Sequence, residues 1–219
     1  MKEIIKEIVQ LQSNANDKAK PDWLINPPPY LRAAAVESFE TLEHISSWKW
    51  WKAAKPDFKQ ASMEMVDILH FIVAQEIINF NGDLEATSNF ITEQFNVSDT
   101  DAIPQTDIDF DMLNDAIESM SGNFIAREID YPLFILVTRM CGLSLEGLFT
   151  WYIGKNALNN ARQALGYKDG TYQKIWDGKE DNVYLVEIIE TADESKASEK
   201  SLYDHVYSEL LRLYQHYNG

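Results

Sequence analysis

Residues 63–74 are apolar nearly all round, and no other feature constrains the fold as strongly. A helix that is greasy on every face has to sit at the centre of a bundle, with other helices packed about it. The pattern predicts this helix over Phe58–Phe80, with Gly82 stopping it. Within Met63–Val73 the only ionisable residues are Glu64, Asp67 and His70, and steps of three set all of them along one side. Two like carboxylates close together in apolar surroundings cost several kcal/mol unless a cation compensates or one of them takes a proton. Either a Lys or Arg from a neighbouring helix provides that charge as an ion pair, or a bound cation does.

A second pair precedes it. Glu37 and Glu40, also three apart, project from adjacent turns of the helix that starts at Tyr30 and reaches at least Ser46. One such pair alone reads as a solvated face. Two pairs on consecutive helices with a short connection are different, because antiparallel packing gathers four carboxylates into one cluster. Hard divalent ions such as Mg²⁺ favour oxygen ligands of this kind and are commonly shared with substrate phosphates.

The remaining elements also read as helices. Ile4, Ile8, Leu11 and Ala15 mark a first helix ending near residues 16–20, followed by an extended link at Pro21 and Pro27 to Pro29. Segment 83–130 is acidic and weaker in pattern, with helices expected at 84–95 and 108–120, and it reads as a more mobile insert. Pro132 suits the first turn of a helix to Met140, and Ser144 caps another that ends at Gly166. Residues 167–182 read as an ordered loop, 183–190 as a helix and 191–200 as a solvated linker; Leu202, Val206, Leu210 and Leu213 define a last helix. Gly 9 and Pro 7 among 219 residues leave little turn chemistry for a sandwich. The expectation is therefore an all-α helical bundle, one domain over 1–219, with a rigid metal-binding core at 1–82 and 131–219 and the insert at 83–130.

Charge and cysteine content narrow the function. With 19 basic against 35 acidic residues the net charge is −16, and no stretch offers a nucleic acid polymer a basic track. Cys141 is the single cysteine, so no intrachain disulfide forms, and its apolar neighbours suggest a buried, inert thiol suited to the cytoplasm. Neither a signal peptide nor a membrane span is expected. A small anion remains a plausible ligand if a few cations are aimed at it. Lys155, Asn159 and Arg162 lie at i, i+4 and i+7 on one helix face, with Lys168 and Lys174 in the loop beyond, a set able to grip phosphate oxygens or simply to balance the acidic surplus. Trp48, Trp50 and Trp51 interleave with Lys49 and Lys52; such rings wall a base pocket or, more commonly, belong to a core. Gln12 and Asn16, one turn apart, can hydrogen-bond a base edge.

Taken together, Glu37-x-x-Glu40, Trp48 to Lys52 and Glu64-x-x-Asp67-Ile68-Leu69-His70-Phe71 resemble the signature of the all-α nucleoside triphosphate pyrophosphatases. Tyr152 to Asn159, Arg162-Gln163, Gly166-Tyr167-Lys168, Gly170-Thr171-Tyr172 and Trp176 to Asn182 are similar to the dimeric dUTPase branch. The resemblance implies Mg²⁺-dependent hydrolysis of dUTP, and of dUDP, to dUMP with release of pyrophosphate or phosphate. It implies more than one metal ion on Glu37, Glu40, Glu64 and Asp67, with Asn159 as a further ligand or a support to one. It also implies phosphate contacts from Lys155, Arg162 and Lys168, uracil and sugar contacts from Gln12, Asn16, Trp51 and His70, and a homodimer. Glu40 is the expected general base. An enzyme for dCTP or for several nucleotides would share every metal residue. A di-iron carboxylate bundle would need Glu-x-x-His on two helices, whereas here Asp67-x-x-His70 gives one such step and His44 lies four residues past Glu40. A non-catalytic interaction protein would turn its acidic pairs outward to solvent.

Overall fold

The helix expected at the centre is there. In the computed structural model, which describes residues 1–191 and 201–218, α3 spans Phe58–Asn79 and buries Met65, Val66, Ile68, Leu69, Ile72, Val73 and Ile77 around its circumference. Each such side chain contributes about 1.5–3 kcal/mol when fully removed from water. Asp57 caps the helix by accepting from the Gln60 amide. The described chain divides into two compact units, Met1–Tyr152 and Ile153–Gly219.

In the first unit α1 (Lys2–Ala19), α2 (Tyr30–Ile45) and α4 (Leu84–Gln94) all pack on α3, and α1 also packs on α4. α5 (Phe110–Ala126) lies against α2 and against α6 (Tyr131–Met140), and α7 (Leu145–Ala164) begins in this unit and ends in the second. α2 stops at Ile45, short of the expected Ser46, because Ser46 turns left-handed at φ 59°. The Asp57 amide then donates to the His44 carbonyl at 3.0 Å, closing the α2–α3 connection into a tight return. The segment expected as an insert supplies fully buried Ile91, Phe95, Leu113, Ile117 and Phe124 to the core, and α5 runs six residues beyond its expected end. Glu76, buried on α3, accepts from the Tyr131 hydroxyl and from Asn79, both at 2.9 Å, which fastens α6 to α3.

In the second unit the expected loop is interrupted by a hairpin, β1 (Ile175–Trp176) paired antiparallel with β2 (Lys179–Glu180). Asp177 and Gly178 turn it with φ of 45° and 79°, the two consecutive positive values that a type I′ turn requires and that Asp-Gly adopts readily. α8 (Asp181–Thr191) follows directly and packs on α9 (Leu202–Asn218). The expected linker, 192–200 beyond Thr191, lies outside the described residues. Among the described residues no single helix is long and apolar enough to cross a membrane.

Candidate functional site

α2 buries Ala34, Ala35, Ser38, Thr41, Leu42 and Ile45 where it packs on α3 and α5. The hydroxyls of Ser38 and Thr41 donate back to the Ala34 and Glu37 carbonyls at 2.7 and 2.9 Å, so neither needs a partner across the helix interface. Glu37 and Glu40 flank this face and project toward Glu64 on α3. One carboxylate oxygen from each of Glu37, Glu40 and Glu64 lies within 4.8 Å of the other two. Glu64 is only 12% exposed, Glu37 is half-buried and Glu40 opens to solvent.

Electrostatics record the crowding. Burial first, then the charges of Asp67, Glu64 and Glu40, push the Glu37 carboxyl from 4.5 up to about 8. Asp67, one turn along α3 from Glu64, thus acts on the cluster by its charge. The donor set is what a hard divalent cation requires: oxygen ligands alone, with the Glu37 carboxyl raised by burial and by its acidic neighbours, a cost that positive charge would relieve. His44 also belongs here, with Nε2 3.3 Å from the Glu64 carboxylate. The sequence carried the signal, since 37, 40 and 44 fall on one helical stripe. An outward-facing, solvated acidic pair does not describe Glu37 and Glu64.

A second constellation forms around Gln12. Its carbonyl accepts from the Tyr152 hydroxyl at 2.6 Å and lies 2.9 Å from His70 Nδ1, while its amide nitrogen donates to Asn16 at 2.8 Å. His70 stacks on Tyr152 with ring centroids 3.9 Å apart. Asn16 is 7% exposed, and its Nδ2 is a buried donor with no hydrogen-bond partner among the described residues. Tyr152, a part of the motif given no role from sequence, is what orients Gln12.

The tryptophans are not core, against the commoner reading of such a run. Trp50 is 89% exposed and Trp51 56%, the two meeting edge to face at 5.8 Å with Trp48 beside Trp51. Lys49 is the buried member of the run and pairs with Glu43.

The second unit arranges the expected cations differently from one another. Lys155 is buried and Lys168 exposed, while Lys174 pairs with Glu180 at 3.2 Å. Arg162 donates Nε and Nη2 to the two oxygens of Asp181 at 2.7 and 2.8 Å, and Nη1 to Asn159 at 3.1 Å. Asp181 lies within the Trp176 to Asn182 block of the resemblance but is given no role from sequence.

A sequence comparison with curated proteins gives no match. A family model described as dUTPase matches residues 4–167, about three quarters of the chain and both acidic helices in full. The chain belongs to this helical dUTPase family, and its activity is the hydrolysis of dUTP.

Proposed function

We propose that this hydrolysis is Mg²⁺-dependent and is carried by the carboxylate cluster, with dUTP cleaved to dUMP and pyrophosphate and dUDP to dUMP and phosphate. The convergence of Glu37, Glu40 and Glu64 oxygens within 4.8 Å is the observation that supports it most. Glu37, Glu40, Glu64 and Asp67 would hold the ions, more than one of them. When bound, magnesium supplies positive charge that offsets the triphosphate and eases deprotonation of the attacking water. Glu40 takes that proton on its carboxylate, being the member of the cluster most open to an incoming water. Glu37 and Glu64, less exposed, are suited to holding rather than exchanging protons with solvent.

Lys155, Arg162, Lys168 and Lys174 are assigned to phosphate oxygens, Arg162 as a planar fork and the lysines as point charges. Gln12, Asn16, Trp51 and His70 are assigned to uracil and sugar. The Asn16 donor, without a partner among the described residues, suits a carbonyl oxygen, of which uracil offers two and cytosine one. A homodimer is proposed as well, supported by Ile25, Val36 and Phe39 standing exposed on the first unit, and a cytoplasmic setting, supported by the buried thiol of Cys141.

Release of pyrophosphate or phosphate from dUTP, dCTP, dTTP and dUDP, measured with and without Mg²⁺, tests the proposal. Turnover of dUTP and dUDP with Mg²⁺ only is expected. Equal cleavage of dCTP would favour the broader nucleotide pyrophosphatase, and full activity without divalent metal would remove the cluster from the chemistry.

A further inference from the structure

The hairpin of the second unit delivers one side chain to a place where its charge is otherwise costly. Asp181 is 0% exposed, and its backbone amide donates to the Lys174 carbonyl at 2.9 Å, which extends the hairpin's pairing by one step. The hairpin itself is anchored. Trp176 is buried, its indole N–H donates to the Gln173 carbonyl at 2.7 Å, and the Tyr184 hydroxyl of α8 donates to the Trp176 carbonyl at 2.9 Å.

Both oxygens of the Asp181 carboxylate are committed. Oδ1 accepts from Arg162 Nη2, while Oδ2 accepts from Arg162 Nε and, at 2.8 Å, from the Tyr172 hydroxyl. Tyr172 is in turn stacked on Tyr214 of α9, centroids 5.2 Å apart and planes within 11°. A bidentate fork of this kind fixes the plane of a guanidinium, not only its position. The third contact of that plane, Nη1 on the Asn159 oxygen, then fixes the Asn159 amide. Stability alone does not require such an arrangement, because desolvating the carboxylate and guanidinium offsets much of their attraction, and apolar side chains would serve equally well.

We infer that Asp181 is a positioning residue for dUTP hydrolysis: it holds the Arg162 guanidinium, and through it the Asn159 amide, in the orientation that receives the phosphate chain. The inference rests on the assignment of Arg162 to phosphate. Asp181 lies beyond residues 4–167 and acts only through Arg162.

The test is a double-mutant cycle on the full chain with Asp181→Asn, Arg162→Lys and the pair, reading kcat, KM for dUTP and the melting temperature. Asp181→Asn leaves one acceptor where two were, tilting the guanidinium, and is expected to lower kcat/KM about 10- to 100-fold. In the Arg162→Lys background the same change is expected to cost less than about 2-fold, because the plane it sets is already gone. A merely structural ion pair would lower the melting temperature of Asp181→Asn and leave kcat and KM in place, and that result overturns the inference. So do two effects that multiply in the double variant. Wild-type kinetics in Arg162→Lys would instead overturn the assignment of Arg162 itself, and the inference with it. If Asp181→Asn does not fold, Tyr172→Phe carries the test by loosening the carboxylate. A fall of roughly 3-fold that disappears in Arg162→Lys supports the inference, and an equal fall in both backgrounds overturns it.

Discussion

Glu40→Gln is expected to reduce dUTP turnover by about 10²- to 10⁴-fold, the range in which a positioned general base acts. The amide keeps the size and one acceptor oxygen of the side chain but cannot take a proton from water. Glu40 is solvent-open on α2 and outside the buried set of Ala34, Leu42 and Ile45, and its charge adds to the crowding on Glu37, so neutralising it takes no support from the fold. The helical circular dichroism spectrum should match wild type, and the metal-free melting temperature should not fall. Steady-state pyrophosphate release at saturating Mg²⁺ measures the effect. Wild-type turnover in a folded Glu40→Gln protein would require another base.

Glu37→Gln is expected to do opposite things to stability and to activity. In the metal-free protein Glu37 is raised from 4.5 to about 8, chiefly by burial and then by Asp67, Glu64 and Glu40. A group raised in the folded state favours folding fully below its unfolded value, and that contribution is lost as pH climbs through the folded value. Wild type should therefore lose stability between about pH 4.5 and 8. Gln mimics the neutral form and does not titrate. The melting temperatures of the two proteins should be close near pH 5 and separate as pH rises toward 8, with Glu37→Gln the more stable. Each kcal/mol recovered reads as about 2–4 °C in a chain of this size. The same variant should need more Mg²⁺ for turnover, since a ligand has lost its charge. This is the trade between stability and function expected where like charges are kept together for a task. Parallel melting curves for the two proteins across that pH range would mean that Glu37 is not crowded.

The acidic cluster was legible because two i, i+3 pairs on consecutive helices with a short return can hardly avoid one another, and the apolar girth of α3 fixed which helix was central. What the sequence hid lies where structure is set by single contacts. α5 passes its expected end because Phe124 reaches the core across Ser121-Gly122, a polar step that masks the period. β1 and β2 have two residues each, too short for alternation to show, leaving only Asp177-Gly178 as a sign. Glu76 carried no sequence signal, because its burial follows from the Tyr131 hydroxyl, which comes from a helix 55 residues along the chain. Trp50 reads as core by residue type, yet it follows the left-handed stop at Ser46 and stands in solvent. Tyr152 and His70 meet the Gln12 carbonyl and Asn16 its amide, which leaves the Asn16 donor without a partner among the described residues, and no spacing rule foretells that.

The account turns on whether the gathered carboxylates bind divalent cations in the folded state, and thermal melting of the wild-type chain across a Mg²⁺ titration near pH ~7.5 measures this directly. Because the cluster exists only when α2 and α3 are packed, binding should stabilise by linkage. A rise of roughly 5–10 °C is expected once Mg²⁺ reaches about a hundred times its dissociation constant. A melting temperature unmoved by millimolar Mg²⁺ would contradict the central claim.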